Sequence, residues 1–369
     1  MIQQVLREWP PGYGGVERVA HELAIVWGGQ IWSLDVKGIS HTEVDSSAVT
    51  YSRVCLPCMP SFFRLRFPLP SLSLWRLLND GTPLHGHLPS PEVLLILLLA
   101  RLFRPRRRVT VHWHSFLQPS RSLIGILYAI YEWLAVRSLC LVSDIITTSP
   151  VLVEELKSLG CHPDRLFLLP CCLSSQQELQ ALQLPFRDPS SHSPFRVLFI
   201  GRLDSYKRVD WLLQALSCLH LPWELVIVGD GPRRSYFHQL SLQLFGSDSN
   251  HLVCFKGRLS EKNKLDQLAI ADILVLPSDK SNEAFGIVQL EAMAAGIPSL
   301  AFQCPRSGMA WVAQLPDLDW SQTPNGLVDV LYRLASDRPL CSHLGLQARS
   351  RYLELFSRDI WLRQLTFWY

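Results

Sequence analysis

The chain lacks any run of apolar residues that would cross a bilayer as a helix. Its longest, Val93–Ala100, falls far short of the ~20 residues a spanning helix needs. The opening MIQQVLREW (Met1–Trp9) has neither a basic leader nor an apolar core, so no secretory signal is read there and a cytoplasmic protein is expected. Charge is also scarce. Asp, Glu, Lys and Arg make up 18% of the residues and leave a net charge of +3, too little to direct the chain to nucleic acid. The 48% hydrophobic content excludes a disordered chain.

Cysteine and glycine patterns are missing too. Ten cysteines in 369 residues form no disulfide framework, and a cytoplasmic protein keeps them reduced. Cys55 and Cys58 have the spacing of half a zinc knuckle, but no second close pair follows, so no metal site is expected. The dinucleotide fingerprint G-x-G-x-x-G fails around Gly12 and Gly14 because Glu17 holds the third glycine position. That disfavours a nicotinamide-dependent enzyme.

What is present is an alternation of strands and helices, twice. A chain of 369 residues exceeds what one hydrophobic core usually serves, so two domains are expected. In the first, strands read at Ile2–Trp9, Gln30–Leu34, Thr82–Leu88, Arg108–His114, Asp144–Thr148 and Arg165–Leu169, with helices at Val16–Trp27, Leu123–Leu141 and Val151–Leu159. PFRDPSSHSP (residues 185–194) reads as the linker, being rich in Pro and Ser. The second alternation starts at Phe195–Ile200 and runs through helix Glu261–Ile270 and strand Asp272–Leu276. Each half therefore predicts a parallel α/β sheet covered on both faces.

Several stretches carry candidate chemistry. Residues 281–302 (SNEAFGIVQLEAMAAGIPSLAF) read as loop, helix, glycine stop at Gly296 and buried strand. Glu291 falls inside that apolar helix, where a carboxylate needs a partner or a ligand. Glu283 falls just before it, where the positive end of the helix favours it. The two read either as ligand groups or as a helix-terminal charge and a salt-bridged core residue. Gly201 and Arg202 follow the first strand of the second half, and Lys207 stands just before the next helix. Glycine allows close approach, arginine offers a planar fork and lysine a point charge, a set that suits phosphate. Gly14 and Gly15 open a helix after the first strand, as a backbone cradle or a plain turn. His85, His87, His112 and His114 alternate at two strand ends, where open α/β sheets bind ligands. Zinc is conceivable there, but no Cys, Asp or Glu stands close by, and satisfied core histidines are the simpler reading for His85 and His112. Phe62–Phe67 and the basic run Arg104–Arg108 suit a membrane interface, or ordinary loop packing.

GRLDSYKRVDWLLQAL, VIVGDGP and above all EAFGIVQLEAMAAGIP resemble the retaining glycosyltransferases of the GT-B fold, family 4. GYGGVERVAHELA and VHWHS are similar to the first-domain signatures of that family. The resemblance implies two Rossmann-like domains with a cleft between them: residues 1–190, with the last helix (352–369) crossing back to join them, and residues 191–351. It implies a nucleotide sugar as co-substrate, no other cofactor, no metal, and no nucleic-acid partner. Glu283 would bind the donor sugar's hydroxyls and Glu291 the ribose. Phe285, Gly286 and Ile287 would present backbone amides. Gly201, Arg202 and Lys207 would hold the diphosphate, and Arg258 and Leu259 would frame the base. Gly15 and His114 would close the cleft from the first domain. The acceptor would be a hydroxyl of a glycan or lipid-linked oligosaccharide, as in surface polysaccharide synthesis, with possible contact to the cytoplasmic membrane. GDP-mannose is favoured over UDP-sugars as donor. A non-catalytic subunit of the same fold stays open as an alternative. The segment after Val312 is shorter than the family usually shows, and Asp317-Leu318-Asp319 mimics the metal-binding Asp-x-Asp of the other major glycosyltransferase fold.

Overall fold

The computed structural model describes residues 1–8, 14–34, 51–59, 65–118, 122–188, 193–246 and 251–366. These fall into two compact units, Met1–Pro170 and Cys171–Tyr369.

The first unit runs β1 (Gln3–Leu6), α1 (Gly15–Trp27), β2 (Gln30–Leu34), β3 (Ser52–Leu56), α2 (Leu72–Asn79), β4 (Leu84–Leu88), α3 (Pro91–Phe103), β5 (Val109–Trp113), α4 (Leu123–Ser138), β6 (Asp144–Thr147), α5 (Pro150–Ser158) and β7 (Leu166–Leu168). The sheet is parallel, in the order β3-β2-β1-β4-β5-β6-β7. A parallel sheet covered on both faces buries whole strands, and every residue of β1, β4 and β5 is buried. These three are not purely apolar. Gln4 pairs in register with His85, His85 with Thr110, and His87 with His112. With side chains alternating between faces, that register sets one polar stripe across one face of the sheet. Helix α1 lies over it: Gln4 Nε2 donates to Ala20 O at 3.2 Å, and Trp27 meets His85 edge-on at 5.1 Å.

The second unit runs α6 (Ser175–Leu182), β8 (Phe195–Ile200), α7 (Val209–Ser217), β9 (Trp223–Val228), α8 (Arg234–Phe245), β10 (His251–Gly257), α9 (Glu261–Ile270), β11 (Ile273–Leu276), α10 (Val288–Ala294), β12 (Ser299–Ala301), α11 (Met309–Ala313), α12 (Pro324–Ser336), α13 (Arg338–Leu355) and α14 (Arg358–Thr366). Its parallel sheet has the order β10-β9-β8-β11-β12. Leu198, Ile200, Leu274, Ala292, Ala295 and Ile297 form one core between β8, β11 and α10. The loop–helix–glycine–strand reading of 281–302 holds, with Gly296 at φ +76°.

The boundary between units falls some twenty residues earlier than the sequence predicts. Ser174 and Gln177 form a reciprocal capping box that starts α6, and α6 packs on α10. Tyr352 Oη and Arg358 N both donate to Glu178, at 2.9 and 2.8 Å. Residues 352–366 therefore group with the second unit, not with the first. The expected linker is also strapped down on either side of residues 189–192, which lie outside the described residues. Buried Asp272 pairs with Arg187 at 3.0 Å and Arg338 at 2.7 Å, and Arg338 donates to Ser193 O. Pro and Ser content suggests looseness there; two arginines on one buried carboxylate override it. The expected helix Leu123–Leu141 ends at Ser138, and a 3₁₀ turn completes it.

Candidate functional site

In the second sheet the strand order reverses between β8 and β11. Loops leaving the carboxyl ends of such a pair diverge and open a crevice. Lys207 ends a 3₁₀ turn (Ser205–Lys207) after β8, and Glu283 lies in the loop after β11. Their side chains form an ion pair, Lys207 Nζ to Glu283 Oε2, with side-chain exposures of 8% and 17%. A Cβ on Gly201 would stand 3.6 Å from that ammonium and 3.4 Å from the Phe199 ring, ordinary contact distances, so this strand end lies directly against the lysine. The ammonium also lies 5.5 Å from the centre of the Tyr206 ring, whose hydroxyl pKa is pushed up by burial. Glu283 is fixed from behind: Ser307 Oγ donates to its carbonyl at 2.5 Å, and Gly308 N donates to Ala284 O at 2.7 Å.

Main-chain atoms tie the loops of this edge together. Gly201 N donates to Val228 O at 2.9 Å, Leu203 N to Asp230 O at 3.0 Å, Arg233 N to Leu203 O at 3.0 Å and Gly229 N to Gly257 O at 2.7 Å. Gly229, at φ +135°, is required to be glycine, since a Cβ would overlap the carbonyl of Gly201.

The turn into α10 is held by Gln289, a residue sequence reasoning missed. It is fully buried; its Nε2 donates to Phe285 O at 2.8 Å, and its Oε1 accepts from Ser299 Oγ at 3.1 Å. Gly286 takes φ +73° beside it. The Phe285 ring is core, edge-on to Phe356 at 5.9 Å, so the 285–287 segment can serve a ligand through its backbone rather than through this ring. Ile287 is half-buried at the helix start. Glu291 is buried to 4% side-chain exposure and paired with Lys264 Nζ on α9 at 2.9 Å. The demand for a partner was legible in the sequence, but its identity was not: Glu261–Lys264 (EKNK) reads as ordinary helix surface.

Arg202 stands apart from the pair. Its side chain is 69% exposed and its Nε lies 3.6 Å from Asp204. Arg258 is exposed, and Leu259 is half-buried against the β8–β11 core. Asp317 accepts from His343 Nε2 at 2.8 Å and from Gln347 Nε2 at 2.5 Å, so the Asp-x-Asp lookalike is tied to α13.

In the first unit Gly15 is exposed at the start of α1, and the Glu17 carboxylate folds back where a Cβ on Gly14 would lie. Burial pushes the Glu17 carboxyl up. His114 is buried, with Nε2 2.8 Å from His87 Nδ1 and its ring stacked on His112 at 4.2 Å. Burial holds His85, His87 and His114 well below the ordinary imidazole range and pushes His112 down to about 3. All four are therefore neutral near pH 7, and His114 can offer a hydrogen bond but not a positive charge. The reading of His112 as a satisfied core histidine is corrected: neither ring nitrogen has a hydrogen-bond partner.

The sequence model for glycosyl transferases group 1 matches residues 183–313, and that for Glycosyltransferase Family 4 matches residues 13–177. Together the two models cover most of the chain, which is similar to the glycosyltransferases of both, and its fold is GT-B. It is 31% identical over 174 residues to the N-acetyl-alpha-D-glucosaminyl L-malate synthase of Bacillus anthracis, a match covering 46% of this chain but only 43% of that protein. It is 27% identical over 295 residues to the alpha-1,3/1,6-mannosyltransferase ALG2 of Homo sapiens, covering 72% of this chain and 68% of that one. In fold it resembles Anabaena HepE, solved in complex with UDP and glucose, with a TM-score of 0.74, 17% identity, and coverage of 99% of this chain and 98% of that one.

Proposed function

We propose that this chain transfers a sugar from a nucleotide-diphosphate sugar to a hydroxyl of a glycan or lipid-linked acceptor, with retention at the anomeric carbon and without a divalent ion at the leaving group. The observation that carries this reading is the Lys207–Glu283 pair at the reversal of strand order, beside Gly201. Breaking the anomeric bond puts negative charge on the departing diphosphate and positive charge on the sugar. A diphosphate competes with Glu283 for the Lys207 ammonium through charge-assisted hydrogen bonds. Lys207 then stabilises the leaving group, and the released Glu283 carboxylate accepts hydrogen bonds from the sugar hydroxyls. Arg202, exposed and loosely held, closes onto the phosphates when they arrive. Glu291, its rotamer fixed by Lys264, takes the ribose. The backbone of 285–287 and the pair Arg258 and Leu259 serve the sugar and the base.

Similarity to a mannosyltransferase supports GDP-mannose; the UDP-bound neighbour supports a uridine donor. A thermal-shift screen with GDP-mannose, UDP-glucose and NAD, followed by donor hydrolysis, tests the reading. Stabilisation by a nucleotide sugar and its turnover are expected. Stabilisation by NAD alone overturns the reading, and nucleotide-sugar binding without turnover turns it into the non-catalytic subunit.

We also propose that the first unit rests on an anionic lipid surface, the acceptor then being lipid-linked. Among the described residues no helix is long and apolar enough to cross a membrane. Helix α4 nevertheless exposes Leu123, Ile126, Leu127, Ile130 and Trp133, with Arg137 over the Trp133 ring at 5.1 Å. Helix α3, packed on both α2 and α4, adds exposed Leu102 and Phe103 beside exposed Arg104 and Arg106. Interfacial helices combine such aromatic, aliphatic and basic groups. The basic run contributes less than its composition suggests: Arg107 is buried and donates to Leu77 O at 2.6 Å and Thr82 O at 2.7 Å. Of the aromatic–arginine stretch 62–67, residues 62–64 lie outside the described residues. Flotation with anionic liposomes tests this, binding weakened by Trp133→Ala being expected; no bound fraction at low salt overturns it.

A further inference from the structure

The polar stripe of the first sheet ends in a cluster with no evident internal use. His85, His87 and His112 are all but fully buried. One ring nitrogen from each lies within 4.8 Å of the others, the only such His/Cys/Asp/Glu group among the described residues. Nε2 of His85 and both ring nitrogens of His112 have no hydrogen-bond partner. Folded proteins rarely leave buried polar atoms unused, because the lost hydration is not replaced.

We propose that His85, His87 and His112 form a binding site for a transition-metal dication of the zinc type, built into the first unit and separate from the Lys207–Glu283 pair. The surrounding hydrogen bonds aim lone pairs inward. Gln4 donates its Nε2 proton to Ala20 O, so its Oε1 faces His87 Nε2, at 2.9 Å. His87 therefore carries its proton on Nε2 and its lone pair on Nδ1, where it accepts from His114 Nε2 at 2.8 Å, a bond that ligation of a metal exchanges for the ion. His85 Nδ1 lies 2.8 Å from Thr110 Oγ1; donation to that hydroxyl leaves the lone pair on Nε2. An oriented imidazole whose far nitrogen is held by an amide or hydroxyl is the usual support of a metal ligand.

An all-imidazole set selects zinc, cobalt, nickel or copper, and rejects magnesium and calcium, which need oxygen ligands. Zn–N bonds of about 2.0–2.1 Å imply nitrogens about 3.3 Å apart. The rings must therefore turn toward a common centre from their separation of up to 4.8 Å. The alternating strand positions that place them on one face were visible in the sequence. That His112 lacks partners was not.

The test uses the full chain purified without chelator. Elemental analysis after extensive dialysis should find about one equivalent of zinc, the stoichiometry of a single closed site. Added Co²⁺ should give visible d–d bands and, like zinc, raise the melting temperature; Mg²⁺ should do neither. His112→Phe, which keeps the ring volume, should lose the metal and the bands. Failure to retain zinc together with absent Co²⁺ bands overturns the proposal, as does undiminished binding by His112→Phe. If that variant does not fold, X-ray absorption at the zinc edge of the wild-type protein decides. Three or more imidazole nitrogens support the site; fewer, or sulfur from Cys55 and Cys58, overturns it.

Discussion

In the first unit β1 and β4 meet where the strand order reverses, and they carry Gln4, His85 and His87 inside the sheet. In the second unit β8 and β11 meet at the equivalent point, and their facing stretches are apolar; the charged groups come from the loops beyond, Lys207 and Glu283. The same topology thus holds its polarity in two ways. Within strands it is neutral, buried and rigid, because desolvation drives the protons off. Beyond the strand ends it is ionic and paired, and an ion pair at a crevice can exchange one partner for a ligand. The second unit can therefore hand charge to a substrate. In the first the imidazoles stay neutral near pH 7, with unpartnered nitrogens of His85 and His112 inside the sheet.

The largest test of the ionic half removes a partner inside the core. Lys264→Met leaves the buried Glu291 carboxylate uncompensated and should cost about 3–5 kcal/mol in urea unfolding. Adding Glu291→Gln should recover most of that loss; a double variant as unstable as the single one would separate Glu291 from Lys264. Next, Glu283→Gln should lower kcat about 10²-fold, as loss of one preorganised electrostatic contact does. Glu291→Gln should instead mainly raise donor KM, because the ribose does not change in the transition state. Equal kinetics for the two variants, with only earlier melting, would reduce both glutamates to structural pairs.

The neutral half is broken by acid. Between the ordinary imidazole value of 6.5 and about 3, where folded His112 takes its proton, the unfolded chain binds more protons than the folded one. Stability is thus retained above about pH 6.5 and lost as pH falls, by about 1.4 kcal/mol per pH unit for each histidine that stays neutral. Urea midpoints of chelator-treated protein between pH 7.5 and 5 should show this slope, and His112→Phe should lessen it by one histidine's share, about 1.4 kcal/mol per pH unit. The smallest effect is expected at Arg202. Arg202→Ala should change stability by less than about 0.5 kcal/mol, as exposed substitutions do, while raising donor KM. A melting temperature that drops with it would mean that Arg202 is part of the scaffold.

The parts of this architecture set by local pattern could be read directly. The strand–helix alternation, Gly296 as a helix stop and the position of Glu283 before α10 all depend on near neighbours in sequence. So did the glycine turns at Gly201 and Gly229, although the reason for Gly229, the carbonyl of Gly201, lies on another strand. What could not be read depends on distant partners. Lys264 looks like any surface lysine until α9 is set beside α10. Residues 185–188 look like a linker until Arg187 and Arg338 converge on Asp272. Arg107 looks like part of a basic patch until its guanidinium caps Leu77 and Thr82. The unit boundary failed for the same reason, because Glu178 gathers Tyr352 and Arg358 from the far end of the chain.

The loops after β8, β9 and β10 are bound to one another through peptide groups, from Gly201 to Val228 and from Gly229 to Gly257. Such a scaffold is indifferent to side-chain identity at its solvent-facing positions. Exposed Arg202 can be exchanged without moving the frame that presents it, whereas Asp204 and Asp230 accept from Ser205 N and Gly231 N and belong to that frame. Donor preference can therefore drift, or be selected in the laboratory, through substitutions at Arg202, while amide hydrogen exchange at Gly201, Leu203 and Gly229 stays as slow as in the parent.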